Sequence, residues 1–268
     1  MLTAALPAQP RLRALAVQYA IGAAFLLPWA VHRRMVRRPL RSLVHMTVAG
    51  FGILCLPQVL IGLSVGKLSP AIPLAALATV PVLLAVGGRL TISTAVCGLA
   101  GVLFLVDDGL EISIHQSPWL LLLLAAACVL AWALAAAEKD LRAISHVEVL
   151  FTQCATSAVL LFILSQLIGR EPLTWSALAG IGFAVNAGVM TVFGYLLFYW
   201  LLRRYGAGRV SILQWSQPLV ATAEAAVLMH ARPDWTALVG ALLIAIAIML
   251  AFSNRDEAGG VLFEITRR

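Results

Sequence analysis

Glu224 is the residue of this sequence best suited to chemistry, because it places a carboxyl group inside a long apolar segment. Gln214 and Gln217 precede it at spacings that place all three side chains on one face of a helix with about 100° per residue. Polar groups in membrane helices are costly and normally face the bundle interior or a water-filled cavity. The pattern predicts a solute-binding or proton-carrying role for Glu224, with a neutral, hydrogen-bonded structural role as the alternative.

Two tyrosines, Tyr195 and Tyr199, share a second predicted helical face with Gly188 and Thr191. Tyrosine offers ring surface and a hydroxyl group, which together suit a pocket for an organic solute. Ordinary packing with a tyrosine at the membrane interface is the alternative interpretation. At about 100° per residue, Asn186 lies on the opposite side of this helix, where we expect it to bond a neighbouring helix.

Gln18 and Gln58 are weaker cavity candidates from the first half of the chain. The five histidines lie near the ends of apolar segments without metal-ligand spacing, and the four cysteines form no C-x-x-C pair. We therefore expect neither a metal site nor a cofactor.

A G-x-S-x-G pattern at residues 62–66 raises the question of an enzyme. That pattern marks a nucleophile only on a strand–turn–helix elbow, and here it ends an apolar segment, where small residues favour helix packing. An intramembrane serine protease would also need a histidine beside Ser64, which no spacing supports. We predict that the chain is not an enzyme and keep an intramembrane enzyme as the least favoured alternative.

The elements that must position these residues are membrane helices. The chain is 62% hydrophobic and only 12% charged, with a mean hydropathy of +0.96, whereas soluble domains are about 25% charged. A span needs about 20 mostly apolar residues, and unbroken apolar runs favour helices over the alternating strands of barrels. The nine predicted spans are roughly 14–31, 43–64, 68–87, 91–107, 117–137, 147–168, 176–202, 210–230 and 235–253.

The basic residues predict the orientation of the chain. With the N-terminus outside, the cytoplasmic loops and tail hold 14 of the 19 Lys and Arg residues, as the positive-inside rule requires. The net charge of +7 is therefore a membrane pattern, and no stripe of basic and aromatic residues indicates a nucleic-acid partner. We predict a multi-pass protein of the inner or plasma membrane, with its N-terminus outside and its C-terminus in the cytoplasm.

Segments 81–105 and 218–250 share a weak internal similarity. Each contains a proline, a short turn with an arginine (Arg89 and Arg232) and a glycine in the next predicted helix. The two turns are predicted on opposite sides of the membrane, as in an inverted repeat.

The stretch from Gly194 to Ala207, GYLLFYWLLRRYGA, resembles the EamA-like branch of the drug/metabolite transporter superfamily. The segment from Ser211 to Met229, with Pro218, resembles the next helix of that family, and Ala131 to Arg142 resembles the helix that opens its second repeat. The resemblance covers about residues 14–253 and is looser in the first half.

The resemblance implies an all-α membrane fold of ten helices in two inverted repeats, with both termini cytoplasmic. The nine predicted spans then match helices two to ten, and the first helix is missing. This implies a single transmembrane domain with an incomplete first repeat at 14–107, a second repeat at 117–253 and a cytoplasmic tail at 254–268. Where the family often carries Gly-Glu, this chain reads Gly87-Gly88 and His230-Ala231, so no role is transferred to those positions.

By this resemblance we expect a secondary transporter that exports a small organic metabolite or drug-like solute by alternating access. With no ATP-binding motif, the energy would come from a gradient, and Glu224 makes proton coupling one option. The missing helix keeps a second interpretation open, a non-transporting remnant or regulatory membrane subunit; the oligomeric state is left open. The expected cavity is lined by Glu224, Gln217, Gln214, Tyr195, Tyr199, Gln58 and Gln18.

Overall fold

The computed structural model of the protein describes residues 11–32, 39–64, 68, 71–105, 117–168, 177–228 and 234–253, and its elements are helices joined by short turns. In chain order the elements are α1 (Arg11–His32), α2 (Leu40–Gly50), a π-helical segment π1 (Phe51–Cys55), α3 (Leu56–Ser64), α4 (Ala71–Leu77), α5 (Val80–Val86), α6 (Ile92–Leu105), α7 (Ser117–Ala143), α8 (His146–Ile168), α9 (Ala177–Asn186), a second π-helical segment π2 (Ala187–Gly194), α10 (Tyr195–Ser211), α11 (Leu213–Leu228) and α12 (Trp235–Ser253).

The predicted all-α polytopic membrane fold is confirmed. Six stretches of the described residues are long and apolar enough to cross a membrane, and two shorter apolar helical stretches lie at Ile72–Val86 and Ile92–Leu105. Helices satisfy every backbone group within the segment, which is why apolar runs of this length fold this way in lipid. The six stretches are Leu12–His32, Leu40–Ile61, Ser117–Ala143, His146–Leu167, Gly180–Ser211 and Trp235–Ser253.

The predicted span at 68–87 is broken into α4 and α5. Pro81 lacks a backbone N–H and its ring would clash with the carbonyl four residues earlier, which favours a new helix start here, and Pro81 lies in the first turn of α5. Thr79, between the two helices, donates a hydrogen bond of 2.6 Å from its hydroxyl to the Ala76 carbonyl near the end of α4. The buried Ala78 carbonyl, which lies at the break, accepts a bond of 3.0 Å from the indole N–H of Trp215.

Gly206 separates the predicted spans at 176–202 and 210–230. Its backbone has φ 79° and ψ 166° within α10, a region that only glycine adopts without strain. The chain therefore changes direction at Gly206 and continues into α11.

Substituting alanine for Gly206 is expected to destabilise the protein by about 1–3 kcal/mol, because a β-carbon strains this conformation. Thermal unfolding of the detergent-solubilised chain measures the loss. Gly182 of α9 is the matched control, since a β-carbon there meets no described atom within 4 Å and alanine favours the helix. An unchanged melting temperature for Gly206→Ala would contradict the expectation.

The chain divides into two compact units. Each unit combines one segment from the earlier part of the sequence with one segment from the later part. Unit 1 comprises residues 1–64 and 129–204, and unit 2 comprises residues 65–128 and 205–268. In unit 1, α8 packs against α1, α2 and π1, and π2 packs against α1. In unit 2, α6 packs chiefly against α12 and also contacts α11 and α5. The predicted tail at 254–268 lies outside the described residues.

Glycines set the closest approaches between helices in unit 2. A β-carbon on Gly101 of α6 would lie 2.8 Å from the Gly240 carbonyl oxygen, and one on Gly240 of α12 would lie 2.6 Å from the Gly101 carbonyl oxygen. Small residues allow backbones to approach this closely, which strengthens the van der Waals contact that joins helices in lipid. The α6–α12 crossing thus depends on glycine at both positions.

Candidate functional site

Gln18 of α1 joins two other polar side chains, Asn186 and Thr191, into one network inside unit 1. Its amide nitrogen donates to the Thr191 hydroxyl of π2 at 2.8 Å. Its amide oxygen accepts a bond of 3.1 Å from the amide of Asn186, the last residue of α9. Both ends of the Gln18 amide are therefore used, and α1 is held against the junction of α9 and π2.

Tyr19, the next residue of α1, contacts the other π-helical segment. Its hydroxyl donates to the Leu54 carbonyl of π1 at 3.1 Å, and the residue is only 2% exposed. A π turn displaces the regular hydrogen-bond pattern of the helix, as the bond from the Leu56 N–H to the Phe51 carbonyl shows. Consecutive polar residues of α1 thus bond to π1 and π2, and π-bulges are frequent at functional sites.

Tyr199 and Gln153 form a second buried pair within unit 1. The Tyr199 hydroxyl of α10 donates to the Gln153 amide oxygen of α8, and both residues are fully buried. A β-carbon on Gly50 of α2 would lie 2.4 Å from Cγ of Gln153, so glycine at this position lets α2 lie against the glutamine. Gln153 was missed in the sequence analysis, although a glutamine within an apolar segment is the same signal that identified Gln18.

Tyr195 begins α10, one helical turn before Tyr199. Its ring centroid is 6.2 Å from that of Tyr199, and its side chain lies near that of Tyr19. The two tyrosines predicted to share a face are therefore neighbours, and a third tyrosine from α1 joins them. Together they present rings and hydroxyl groups in one region of unit 1.

The predicted orientation of Asn186 is wrong. Residues five apart are separated by about 140° at about 100° per residue, which placed Asn186 opposite Thr191. The π2 segment widens the helix, and residues five apart are hydrogen-bonding neighbours in π geometry. Both side chains consequently bond to Gln18. The expected bond from Asn186 to a neighbouring helix is confirmed.

The other predicted cavity residues are distributed over both units. Gln214 and Gln217 of α11, in unit 2, bond to each other through amide nitrogen and oxygen at 3.0 Å. Gln58 of α3, in unit 1, is half-buried. Glu224 belongs to α11, but its side chain lies outside the part of the chain that the structure describes.

The network of unit 1 is made of amides and hydroxyl groups, which are neutral hydrogen-bonding groups. Such groups can bind and orient a polar solute, and the tyrosine rings add apolar surface. Within the described ranges, no group of three His, Cys, Asp or Glu residues is arranged to hold a metal ion.

Comparison with known proteins identifies the family. The profile of the EamA-like transporter family matches residues 117–253. A crystal structure of a protein, 18% identical in sequence, superposes with a TM-score of 0.77 over 94% of this chain and 92% of that chain, so the two share a fold. No curated protein matches the sequence.

The matched region begins with α7 and ends with α12, and therefore contains π2, Tyr195 and Tyr199. The profile covers half of the chain, and the structural similarity extends over the remainder of the fold. The resemblance seen in the sequence is confirmed. The chain belongs to the EamA-like transporter family, a group of membrane transporters in the drug/metabolite superfamily.

Proposed function

We propose that this protein is a secondary transporter that exports a small organic solute from the cell by alternating access. The observation that carries the proposal is the family match, which includes the helices that bear Tyr195 and Tyr199. The family points to transport and not to catalysis. Since the sequence has no ATP-binding motif, an ion or solute gradient supplies the energy, and a proton carried by Glu224 is the first candidate.

The solute contacts hydrogen-bonding groups and aromatic rings in this proposal. Unit 1 supplies Gln18, Tyr195 and Tyr199, with Gln58 as a half-buried neighbour on α3. Gln214, Gln217 and Glu224, which belong to α11 of unit 2, stay separate candidates for contact with the solute by their spacing in the sequence. Sites for small molecules are mainly apolar with a few placed polar groups, and this set of side chains has that character.

Alternating access in such proteins uses repeats related by inversion, and the arrangement of helices supports one here. Numbered by the ten-helix family pattern, π1 lies in helix three and π2 in helix eight, which occupy equivalent places in the two repeats. The helices numbered two and seven, α1 and α8, pack together in unit 1. The helices numbered five and ten, α6 and α12, pack together in unit 2.

Export of an unidentified solute can be tested by comparing the media of cells that produce the unmodified chain, Glu224→Gln or Glu138→Gln. Glu138 is the matched carboxylate control, because its partner is a described residue: it pairs at 2.9 Å with the exposed Arg142, one turn away on α7. We expect one solute class to accumulate outside with the unmodified chain and with Glu138→Gln, and not with Glu224→Gln.

Two other outcomes change the proposal. If all three chains insert stably and no solute accumulates, export is wrong and the remnant or regulatory-subunit interpretation replaces it. If Glu224→Gln exports the solute with unaltered pH dependence, transport stands and the proton role of Glu224 is wrong.

A further inference from the structure

The hydroxyl residues of α8 differ in where their side chains bond. Thr152, Thr156 and Ser165 donate to backbone carbonyls three or four residues earlier, at 3.0, 2.8 and 2.7 Å respectively. This back-bonding is a common way for Ser and Thr to satisfy their hydroxyl groups within helices. Ser157 is fully buried, and its hydroxyl oxygen has no hydrogen-bond partner among the described residues.

Gln153 lies one helical turn before Ser157 and has an unused group of its own. Its amide oxygen accepts from Tyr199, but its amide nitrogen is buried without a partner among the described residues. Residues four apart share a helix face, with β-carbons about 5–6 Å apart. The two unsatisfied groups therefore belong to side chains on the same face of α8, one turn apart.

We propose that a water molecule binds between the amide of Gln153 and the hydroxyl of Ser157. A buried polar group without a partner is unfavourable, and a buried water typically bonds to two to four such groups. Both side chains are uncharged, so an ion would lose its hydration here without an opposite charge in return. The site is complete with either orientation of the Gln153 amide, because water both donates and accepts.

The water completes a chain of polar groups from α10 to α8. Tyr199 bonds to Gln153 directly, and Gln153 bonds to Ser157 through the water. Ser157 is thereby linked through the water to the amide that accepts the Tyr199 hydrogen bond.

Ser157→Ala in the purified full-length chain tests the site by the sign of its effect on thermal stability. We expect a fall in Tm of about 2–4 °C, because the variant removes one partner of the water and leaves the Gln153 amide unsatisfied. If no water binds, the variant removes an unpaired hydroxyl group, and Tm stays constant or rises. That result would overturn the proposal. Ser165→Ala on the same helix is the control, since its hydroxyl already bonds to the backbone and its loss has a small effect.

A double-variant cycle and a direct observation complete the test. With a bridging water, the Tm losses of Ser157→Ala and Gln153→Met are non-additive, because either change disrupts the same water. The pair Ser165→Ala and Gln153→Met is expected to be additive. A high-resolution structure should show density within about 3.2 Å of both atoms. Additive losses, or an empty position in such a structure, would each refute the water site.

Discussion

Gly98→Ala is expected to destabilise the protein by about 2–4 kcal/mol and to lower its Tm by about 10 °C. A β-carbon on Gly98 of α6 would lie 2.2–2.4 Å from three atoms of the Trp215 indole. Trp215 is fully buried, and its N–H bond of 3.0 Å to the Ala78 carbonyl holds the ring in place. The ring can move aside only by giving up that bond, so the variant introduces both overlap and an unsatisfied carbonyl.

Thermal unfolding and the yield of folded protein measure the effect. Gly87→Ala is the matched control in unit 2, because a β-carbon there meets its nearest described atom at 3.4 Å, an ordinary contact. The double variant Trp215→Phe with Gly98→Ala should lower Tm by less than the sum of the two single losses, because the smaller ring leaves the space that the β-carbon needs. A Gly98→Ala protein with unaltered Tm would show that the Trp215 ring is not held as described.

Gln18→Leu is expected to reduce export on the order of tenfold, because it removes the side chain that joins α1 to Asn186 and Thr191. The variant leaves the fully buried Thr191 hydroxyl and the partly buried Asn186 amide without this partner, at about 1–3 kcal/mol each. A change of about 1.4 kcal/mol corresponds to a factor of ten in an equilibrium constant. We therefore expect a lower Tm together with the lower export. Gln166→Leu, at the far end of α8, is the control glutamine and should alter neither quantity.

A compensated variant separates a structural role from a functional one. Combining Gln18→Leu with Asn186→Leu and Thr191→Val makes the whole group apolar, which is expected to recover most of the lost stability. If the network contacts the solute, export stays low while Tm recovers. Recovery of both quantities would mean that these three side chains only hold the helices together.

The sequence predicted the fold better than it predicted the site. The confirmed membrane fold rests on long apolar runs, and the resemblance around Tyr195 and Tyr199 led to the correct family. The network of unit 1 was predicted only in part, with Gln18 and the tyrosines identified and Gln153 missed. Asn186 was assigned to the wrong side because a regular helix was assumed through a π-helical segment.

The sequence by itself determined that the chain lies in a lipid membrane, approximately where its helices lie, and to which family it belongs. Apolar length and charge respond directly to lipid and water, so they can be read without knowing any partner. Only the tertiary structure decided which polar side chains meet, because Gln18 and Thr191 are 173 positions apart and Trp215 and Ala78 are 137 apart. The helix that a side chain faces depends on whether its turn is α- or π-helical. It also depends on glycines that let a helix distant in sequence pack closely. Hydrophobic periodicity predicts neither feature.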